Sequence, residues 1–579
     1  MNERSRRDFL QRSLQQSVAA AGVLAGISGV AASAPPGGPV LVNHVGFVPS
    51  GAKFLVTEGA EAVEFSIVDR DSGRTEFGGV ARPMNGDLGQ SVVGDFSALT
   101  RPGRYEARLG AGRSGPFAIA TDIYTSAIRN CVGYFAKQRC GDSRTGHHAP
   151  CHLDDGRRQD DGRQQDVTGG WHDACDLRKW VNATIYGMIG LSRVLESTVL
   201  SRADGGRIID ELRWGNAYFL KMQDPAGYVM DYCGGDDGNN YTDNRRGTAD
   251  DRVIHNGDCE LPAQFHFIAA QAAMARHTRP ADPAYASGCE ASARRCLDWC
   301  VKHRSPGAAR SLAAAVIACV ELHRTVGGNE LRDLAAGYAK RLLSLQETAA
   351  VSDDAPVRGF FRSAVDRPEP SREIMHGNLP MIALCQAVEY FGDHADVGSW
   401  RRGLELHAEY LLAMTGRSAF GTVPFGLYSG EDPGGSRRIG RCWYRWFMKP
   451  RGEYSAADWW VGINAHLASN GLGLAMAGRL LRDWRLSELA QRQLDWIIGV
   501  NPFDASTMTG AGRNHAPLFV TGEFRPATPP IDGGVMNGIG GSPEDAPQLY
   551  AGSYHTCEYW TPMVGYTMWL MAELQRPHS

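Results

Sequence analysis

The hydrophobic rhythm of this chain changes at about Ile123, and that change limits the fold more than any other feature. Before it, residues 35–119 carry short β-rich runs such as Phe54-Leu55-Val56 and Phe65-Ser66-Ile67-Val68, separated by Gly, Asp and Pro turns. Arg101-Pro102-Gly103-Arg104-Tyr105 is a turn followed by a strand, and Phe117-Ala118-Ile119 is the last run of this kind. Strand-length runs at that spacing predict a small β-sandwich over residues 35–120. After the change the period is helical. Ile185, Met188, Ile189 and Leu195 share one helical face, as do Leu467, Leu474 and Leu481. The second group is interspersed with Ala468, Gly471, Gly473, Ala475 and Gly478, small residues that suit helices packed closely on both sides. Roughly a dozen candidate helices follow one another over residues 121–579. Long Gly- and Asp-rich loops at 224–257, 348–370, 416–462 and 501–557 separate them. Loops of that length in a compact domain are usually functional. An all-helical barrel with its loops gathered at one end accounts for both features, and no short-period solenoid repeat competes with it.

The bulk numbers exclude little. A chain of 579 residues exceeds what one hydrophobic core usually fills, which fits two domains. The formal net charge of −4 leaves no basic footprint for nucleic acid and no polybasic membrane patch.

The N-terminus is more specific. Ser5-Arg6-Arg7-Asp8-Phe9-Leu10 is a twin-arginine pattern, followed by a weakly apolar run from Val18 to Ala32 and the small residues Ala32-Ser33-Ala34. The run is too short and too rich in Gly and Ala to span a bilayer comfortably. Residues 1–34 therefore read as a removed Tat signal, with the protein periplasmic or secreted and not stably inserted in a membrane. The 13 cysteines, odd in number and scattered, do not read as a disulfide framework. They fit small core residues, with some free to bind metal.

Three clusters carry chemistry. In Gly169-Gly170-Trp171-His172-Asp173-Ala174-Cys175-Asp176-Leu177-Arg178-Lys179-Trp180, two carboxylates three residues apart precede a helix. Such a pair can hold one water and raise the basicity of one member. It could equally cap the helix. Cys140, Cys151, His152 and His172 supply two thiolates and two imidazoles, enough for a closed structural zinc site, although unlinked core residues would look the same. Near the C-terminus, Glu558 stands at the start of the last amphipathic helix between Tyr554 and the pair Tyr559-Trp560. Apolar rings desolvate a carboxyl and raise its pKa, as a general acid requires. A Glu stabilised by the helix dipole is the plainer alternative. A fourth segment, Asn501 to Gly510 continuing to Arg513-Asn514-His515, is a polar Gly-rich loop that could bind sugar hydroxyls through Arg513 and His515 or form a surface turn.

Taken in order, these residues resemble family 9 of the glycoside hydrolases. Leu41 to Phe47 with Pro49 looks like the opening of the immunoglobulin-like module that precedes many members. Phe135 to Gly141 resembles the first barrel helix, and Gly169 to Trp180 resembles the GGWHDAGDYGKY signature. Leu212-Arg213-Trp214-Gly215, Lys221-Met222-Gln223-Asp224-Pro225, Asn501-Pro502 and Glu558 follow in the family's order. The resemblance implies an (α/α)6 barrel behind a β-sandwich. It implies Asp176 as general base, Asp173 as its partner on the water and Glu558 as general acid of an inverting hydrolase. Cys140, Cys151, His152 and His172 become zinc ligands, with calcium a further candidate. The substrate implied is a β-1,4-linked glucan or a related β-linked oligo- or polysaccharide, with Trp180, Arg513, His515 and Tyr554 around it. Other aromatics that could serve as sugar platforms are Tyr241, Trp443, Trp446, Trp459 and Trp560. Three positions depart from the family: Cys175 replaces a signature Gly, Asn514-His515-Ala516-Pro517 replaces a His-His-Arg, and Gly552-Ser553 replace an acidic pair. An exo-acting β-glucosidase or glucosaminidase on short oligosaccharides, a non-catalytic glycan-binding barrel and a zinc hydrolase are the competing readings.

Overall fold

The computed structural model describes residues 38–576 apart from 198–199, 236–241, 257–259, 354–355, 451–459 and 520–529. The expected signal segment, Tyr241 and Trp459 lie outside the described residues.

Eight strands come first: β1 (Gly46–Phe47), β2 (Phe54–Glu58), β3 (Val63–Asp69), β4 (Thr75–Gly86), β5 (Gly89–Asp95), β6 (Gly103–Leu109), β7 (Gly112–Arg113) and β8 (Phe117–Ile119). Their order is β1-β8-β6-β3-β4-β5-β2, with β7 paired to β6. The long β4 belongs to both faces: it pairs with β3 up to Ala81 and with β5 from Arg82 onward. The sheet thereby folds over a core of its own, with Leu55 and Val92 on one side and Phe65, Ile67, Tyr105 and Phe117 on the other.

Thirteen helices follow among the described residues: α1 (Thr125–Lys137), α2 (Val181–Glu196), α3 (Arg202–Met222), α4 (Leu261–Thr278), α5 (Pro283–His303), α6 (Ala309–Val326), α7 (Asn329–Leu343), α8 (Leu379–Tyr390), α9 (Val397–Thr415), α10 (Asn464–Leu481), α11 (Trp484–Ile497), the single turn α12 (Tyr554–Cys557) and α13 (Thr561–Leu574). The twelve longer ones form two rings. Helices α2, α4, α6, α8, α10 and α13 each pack on the next, and α13 packs back on α2, closing an inner ring. Helices α3, α5, α7, α9 and α11 lie outside the inner helix that precedes each of them, and α1 lies against α13. This is the (α/α)6 barrel.

The sequence supports the rings locally. Inner helices are buried on nearly every side, α10 without a break from Asn464 to Gly478. The last helix, expected to be amphipathic, is an inner one and is buried throughout from Thr561 to Ala572. Glycines permit the closure. A Cβ on Gly565 of α13 would lie 2.5 Å from the Tyr186 carbonyl of α2, and one on Gly190 would lie 2.7 Å from the Gly565 carbonyl. Pro262, Pro380 and Pro562 open α4, α8 and α13, where a missing N–H costs no helical bond. The α1 helix ends at Lys137, so the expected first-helix segment stops short and Cys140 falls in the turn beyond it.

Each inner helix joins the following outer helix by a short connection, which makes the pair antiparallel. The long segments 138–180, 223–260, 344–378, 416–463 and 498–560 all run from an outer helix to the next inner one. They therefore collect at the end of the barrel where the inner helices begin. Both ends of the barrel's sequence contribute to that face.

Candidate active site

The segment from Gly169 to Trp180 leads into α2. Asp173 is only 3% exposed. Its Oδ2 accepts a hydrogen bond from Trp560 Nε1 at 2.8 Å, and its Oδ1 accepts one from the Trp180 N–H at 3.3 Å. Its carbonyl accepts the Thr561 N–H at 2.9 Å, which stitches the segment to the first residue of α13. Asp176 stands further out, its side chain 32% exposed, with Arg178 Nε 3.6 Å from Oδ2. The pair does more than cap a helix, since Trp180 is the N-cap of α2.

The backbone beneath Asp176 is held in an unusual state. Leu177 has φ +62°, a left-handed conformation that a branched residue adopts only when its surroundings compel it. Arg252 Nη1 donates to the Leu177 carbonyl at 2.6 Å. Arg252 and Lys179 both pair with the buried Asp155, at 2.6 and 2.7 Å. Motif reading gave no hint of this anchor, because Asp155 and Arg252 carry no local pattern.

Glu558 lies between α12 and α13, just outside the helix rather than in it. The Cys175 thiol donates to Glu558 Oε1 at 3.0 Å, and the Asn537 N–H donates to the Glu558 carbonyl at 2.7 Å. Glu558 thus lies against the loop of Asp173 and Asp176 and feels the charge of both. Burial, reinforced by the charge of Asp176, holds the Glu558 carboxyl well above the usual range. Burial followed by the same neighbour does so for Asp173, against the pull of the Trp560 hydrogen bond. Burial also raises Asp176, with Arg178 opposing. Three neighbouring carboxyls in unequal settings, Asp173 on Trp560, Asp176 beside Arg178 and Glu558 under Cys175, suit general acid–base chemistry.

Next to this loop, one ligand atom from each of Cys140, Cys151, His152 and His172 lies within 4.8 Å of the others, and all four residues are buried. Cys140 Sγ is 3.7 Å from His152 Nδ1, and Cys151 Sγ is 3.5 Å from His172 Nε2. A zinc tetrahedron with Zn–S of about 2.3 Å and Zn–N of about 2.05 Å has S···N edges of about 3.6 Å. The donor set fits. Cys140 and His148 lower the Cys151 thiol to about 5 against its burial, and burial lowers His172 to about 3. Thiolate and neutral imidazole are the forms a metal needs. Asp154, Asp243 and Asp250 form a second group with carboxylate oxygens within 4.8 Å.

The remaining expected residues separate. Trp180 stacks on Tyr232 at 3.8 Å, and Tyr232 stacks on His255 at 4.1 Å. The stack crosses a small sheet ordered β10-β11-β12-β9, made of β9 (Arg157–Arg158), β10 (Lys179–Trp180), β11 (Tyr232–Gly234) and β12 (Val253–His255). Tyr554 is half-buried, packs on His555 at 3.9 Å and feels the Glu558 charge. Arg513 is engaged elsewhere: its Nη2 pairs with Asp504 Oδ1 at 3.0 Å, and its N–H donates to His44 Nδ1 of the sandwich at 3.2 Å. His515 bonds the Ser506 carbonyl at 3.0 Å in the same loop. Arg513 thus ties the loop to the sandwich, which no local pattern could announce, while His515 stays exposed. Trp446 cannot be a platform, being 1% exposed with its Nε1 on Asp87. Trp443 is half-buried with Arg438 over its ring, and Trp560 is committed to Asp173. Sequence reading missed a polar cluster where α2, α4, α6 and α8 begin. There Glu260 accepts from Asn182 at 3.0 Å and pairs with Arg310 and His376 at 3.3 and 3.4 Å.

Comparison with known proteins agrees with this architecture. A sequence model of the family described as "Glycosyl hydrolase family 9" matches residues 124–342, and one described as "Cellulase N-terminal ig-like domain" matches residues 36–114. A cellodextrinase of Butyrivibrio fibrisolvens is 34% identical over 27% of this chain and 29% of its own length. Endoglucanase D of Acetivibrio thermocellus is 30% identical over 43% of each protein. The chain therefore spans less than half the length of these curated relatives. Among solved structures, a metagenome-derived glycoside hydrolase family 9 endoglucanase superposes with a TM-score of 0.69 at 22% identity, covering 93% of this chain and 99% of that one, a likeness of fold. No helix among the described residues is long and apolar enough to cross a membrane.

Proposed function

The chain belongs to glycosyl hydrolase family 9, and on that premise we propose that it is an inverting glycoside hydrolase acting on a β-1,4-linked glucan or a related β-linked oligosaccharide. The observation that carries the proposal is the Cys175–Glu558 contact, which brings a carboxyl from the last loop against the loop of Asp173 and Asp176. Asp176, more open than Asp173, is the general base. Asp173, fixed by Trp560, shares the attacking water with it. Glu558, kept protonated by burial, is the general acid. In the reaction Asp176 takes a proton from water as the oxygen attacks the anomeric carbon. Glu558 gives its proton to the departing glycosidic oxygen on the other side of the sugar. Water must fit between base and sugar, which inverting enzymes achieve with carboxyls about 6.5–9.5 Å apart. The stacked face of Trp180 and the ring of Tyr554 are the proposed sugar contacts.

The similarity to a protein named cellodextrinase favours short soluble glucan chains over crystalline polymer. The four Cys and His ligands are proposed to hold a structural zinc, which would brace the backbone before Asp173 and leaves no open position for chemistry. Asp154, Asp243 and Asp250 are proposed to hold a calcium ion. Supporting this, the Asp154 Oδ2 is buried without a hydrogen-bond partner. Export by the twin-arginine route is part of the same reading and rests on Ser5 to Leu10.

Sugar release from a panel of β-glycans and chromogenic glycosides, with the product anomer followed by NMR, tests the proposal. The expected first product is the α-anomer, and Asp176→Asn and Glu558→Gln should each lower kcat by about 10²–10⁴-fold. A fully active Glu558→Gln enzyme, or a β-anomer as first product, would overturn it. A chain that binds these glycans without cleaving them would be a glycan-binding barrel instead.

A further inference from the structure

Cys175 is buried at 1% exposure, directly between the two aspartates and in contact with the third carboxyl. No disulfide involves any described cysteine. Its thiol and its backbone N–H both favour the ionised form of Glu558. A glycine at this position, as in the family signature, would offer only the backbone donor. We propose that Cys175 is a positioning residue for the acid: its thiol holds Glu558 by Oε1, so that the transferable proton sits on Oε2 and the acid is tethered to the base loop. The proposal rests on reading Glu558 as the general acid.

The chemistry follows from what a thiol can donate. In a neutral carboxyl the carbonyl oxygen is the stronger acceptor, so an S–H directed at Oε1 favours the proton on the other oxygen. As that proton leaves for the glycosidic oxygen, negative charge develops on both carboxyl oxygens. A donor already in place strengthens its bond to Oε1 without rearranging. The same contact fixes the span between acid and base, because Cys175 is covalently next to Asp176. The other titratable groups facing Glu558 are Asp173 and Asp176 from the base loop, Tyr134 from α1, and Tyr554 and Tyr559 from its own segment. Among the described residues, the two Cys175 donors are the main influence that opposes burial at Glu558.

The pH profile of kcat/KM distinguishes positioning from mere space filling. Its alkaline limb reports ionisation of the acid. In Cys175→Ala that limb should move up by about one pH unit, because the ionised form loses a donor. The plateau should fall by about 3–10-fold, because the proton leaves less readily. Cys175→Ser keeps a donor and should return the limb towards its original place. An unmoved limb in the Ala variant, or a Ser variant no better than Ala, overturns the inference. The S–H stretching band supplies a second readout on the unaltered thiol. It should shift to higher frequency in Asp176→Asn, Glu558→Ala double-variant protein, where the acceptor is gone, and an unshifted band would also overturn the inference. Retained activity in Glu558→Gln would instead defeat the assignment of the acid, a separate failure.

Discussion

Trp560 Nε1 donates to Asp173 Oδ2 at 2.8 Å, a bond between residues 387 positions apart. It exists because α13 closes on α2, and the neighbouring bond from the Thr561 N–H to the Asp173 carbonyl repeats the link through the backbone. The proposed water-holding carboxylate is therefore oriented by the far end of the chain.

Trp560→Phe keeps the ring and removes the donor. A buried carboxylate oxygen left unsatisfied costs about 1–3 kcal/mol. The expected result is a fall in kcat of about tenfold with little change in KM, read from steady-state kinetics on a soluble oligosaccharide. An unchanged kcat would show that the bond does not orient Asp173 for chemistry.

The second prediction concerns stability against pH. Burial raises Glu558 above its ordinary value, so the folded protein holds that proton more tightly than the unfolded chain does. Below the unfolded value, about 4.3, both states are protonated and the group contributes no difference. As pH climbs from there through the folded value, ionisation costs the native state and stability is lost. Gln cannot ionise. The melting temperature of Glu558→Gln should equal that of the parent near pH 4 and exceed it increasingly towards neutrality. Thermal melts across that range would show it, and a constant offset would contradict it.

The third prediction is metal content. Elemental analysis of the purified protein should return one zinc, and Cys140→Ser should lose it. Loss should lower the melting temperature by more than about 5 °C and reduce kcat, since His172 directly precedes Asp173. Chelated protein with unaltered stability and activity would rule out a bracing role.

The fourth prediction tests ring closure. In Gly565→Ala the new Cβ would meet the Tyr186 carbonyl at 2.5 Å, a backbone atom that cannot step aside cheaply. Overpacking of this kind costs about 1–3 kcal/mol. Activity should fall with it, because the segments of Glu558 and Asp176 lead into these two helices. Gly337 of α7 is the control, exposed and with nothing within 4 Å of an added Cβ. Gly337→Ala should be neutral or stabilising by about 0.5–1 kcal/mol. Denaturant titration of both variants decides the matter.

Much of this protein could be read before any coordinate was known. The switch from strands to helices falls where the pattern changed, between Ile119 and Thr125. The small residues from Ala468 to Gly478 belong to a helix enclosed on all sides. These are local matters, fixed by the steric limits of each residue and the spacing of its apolar neighbours. The chain's order of motifs also carried the family, and the Cys and His residues it singled out do cluster.

What tertiary structure decided is which distant residues meet. Arg513 looked like a sugar ligand in a polar loop, yet it binds His44 of the sandwich and Asp504, while His515 bonds Ser506 within its own loop. Trp446 looked as available as Trp180, but it is buried against Asp87, whereas Trp180 joins a stack with Tyr232 and His255. Cys175 looked like a substitution, and only folding set its thiol on Glu558. The reason is physical: local periodicity depends on neighbours along the chain, whereas these contacts depend on how closely α2 and α13 approach. That approach depends on the absence of side chains at Gly190 and Gly565, which no local pattern around Asp173 or Cys175 reveals.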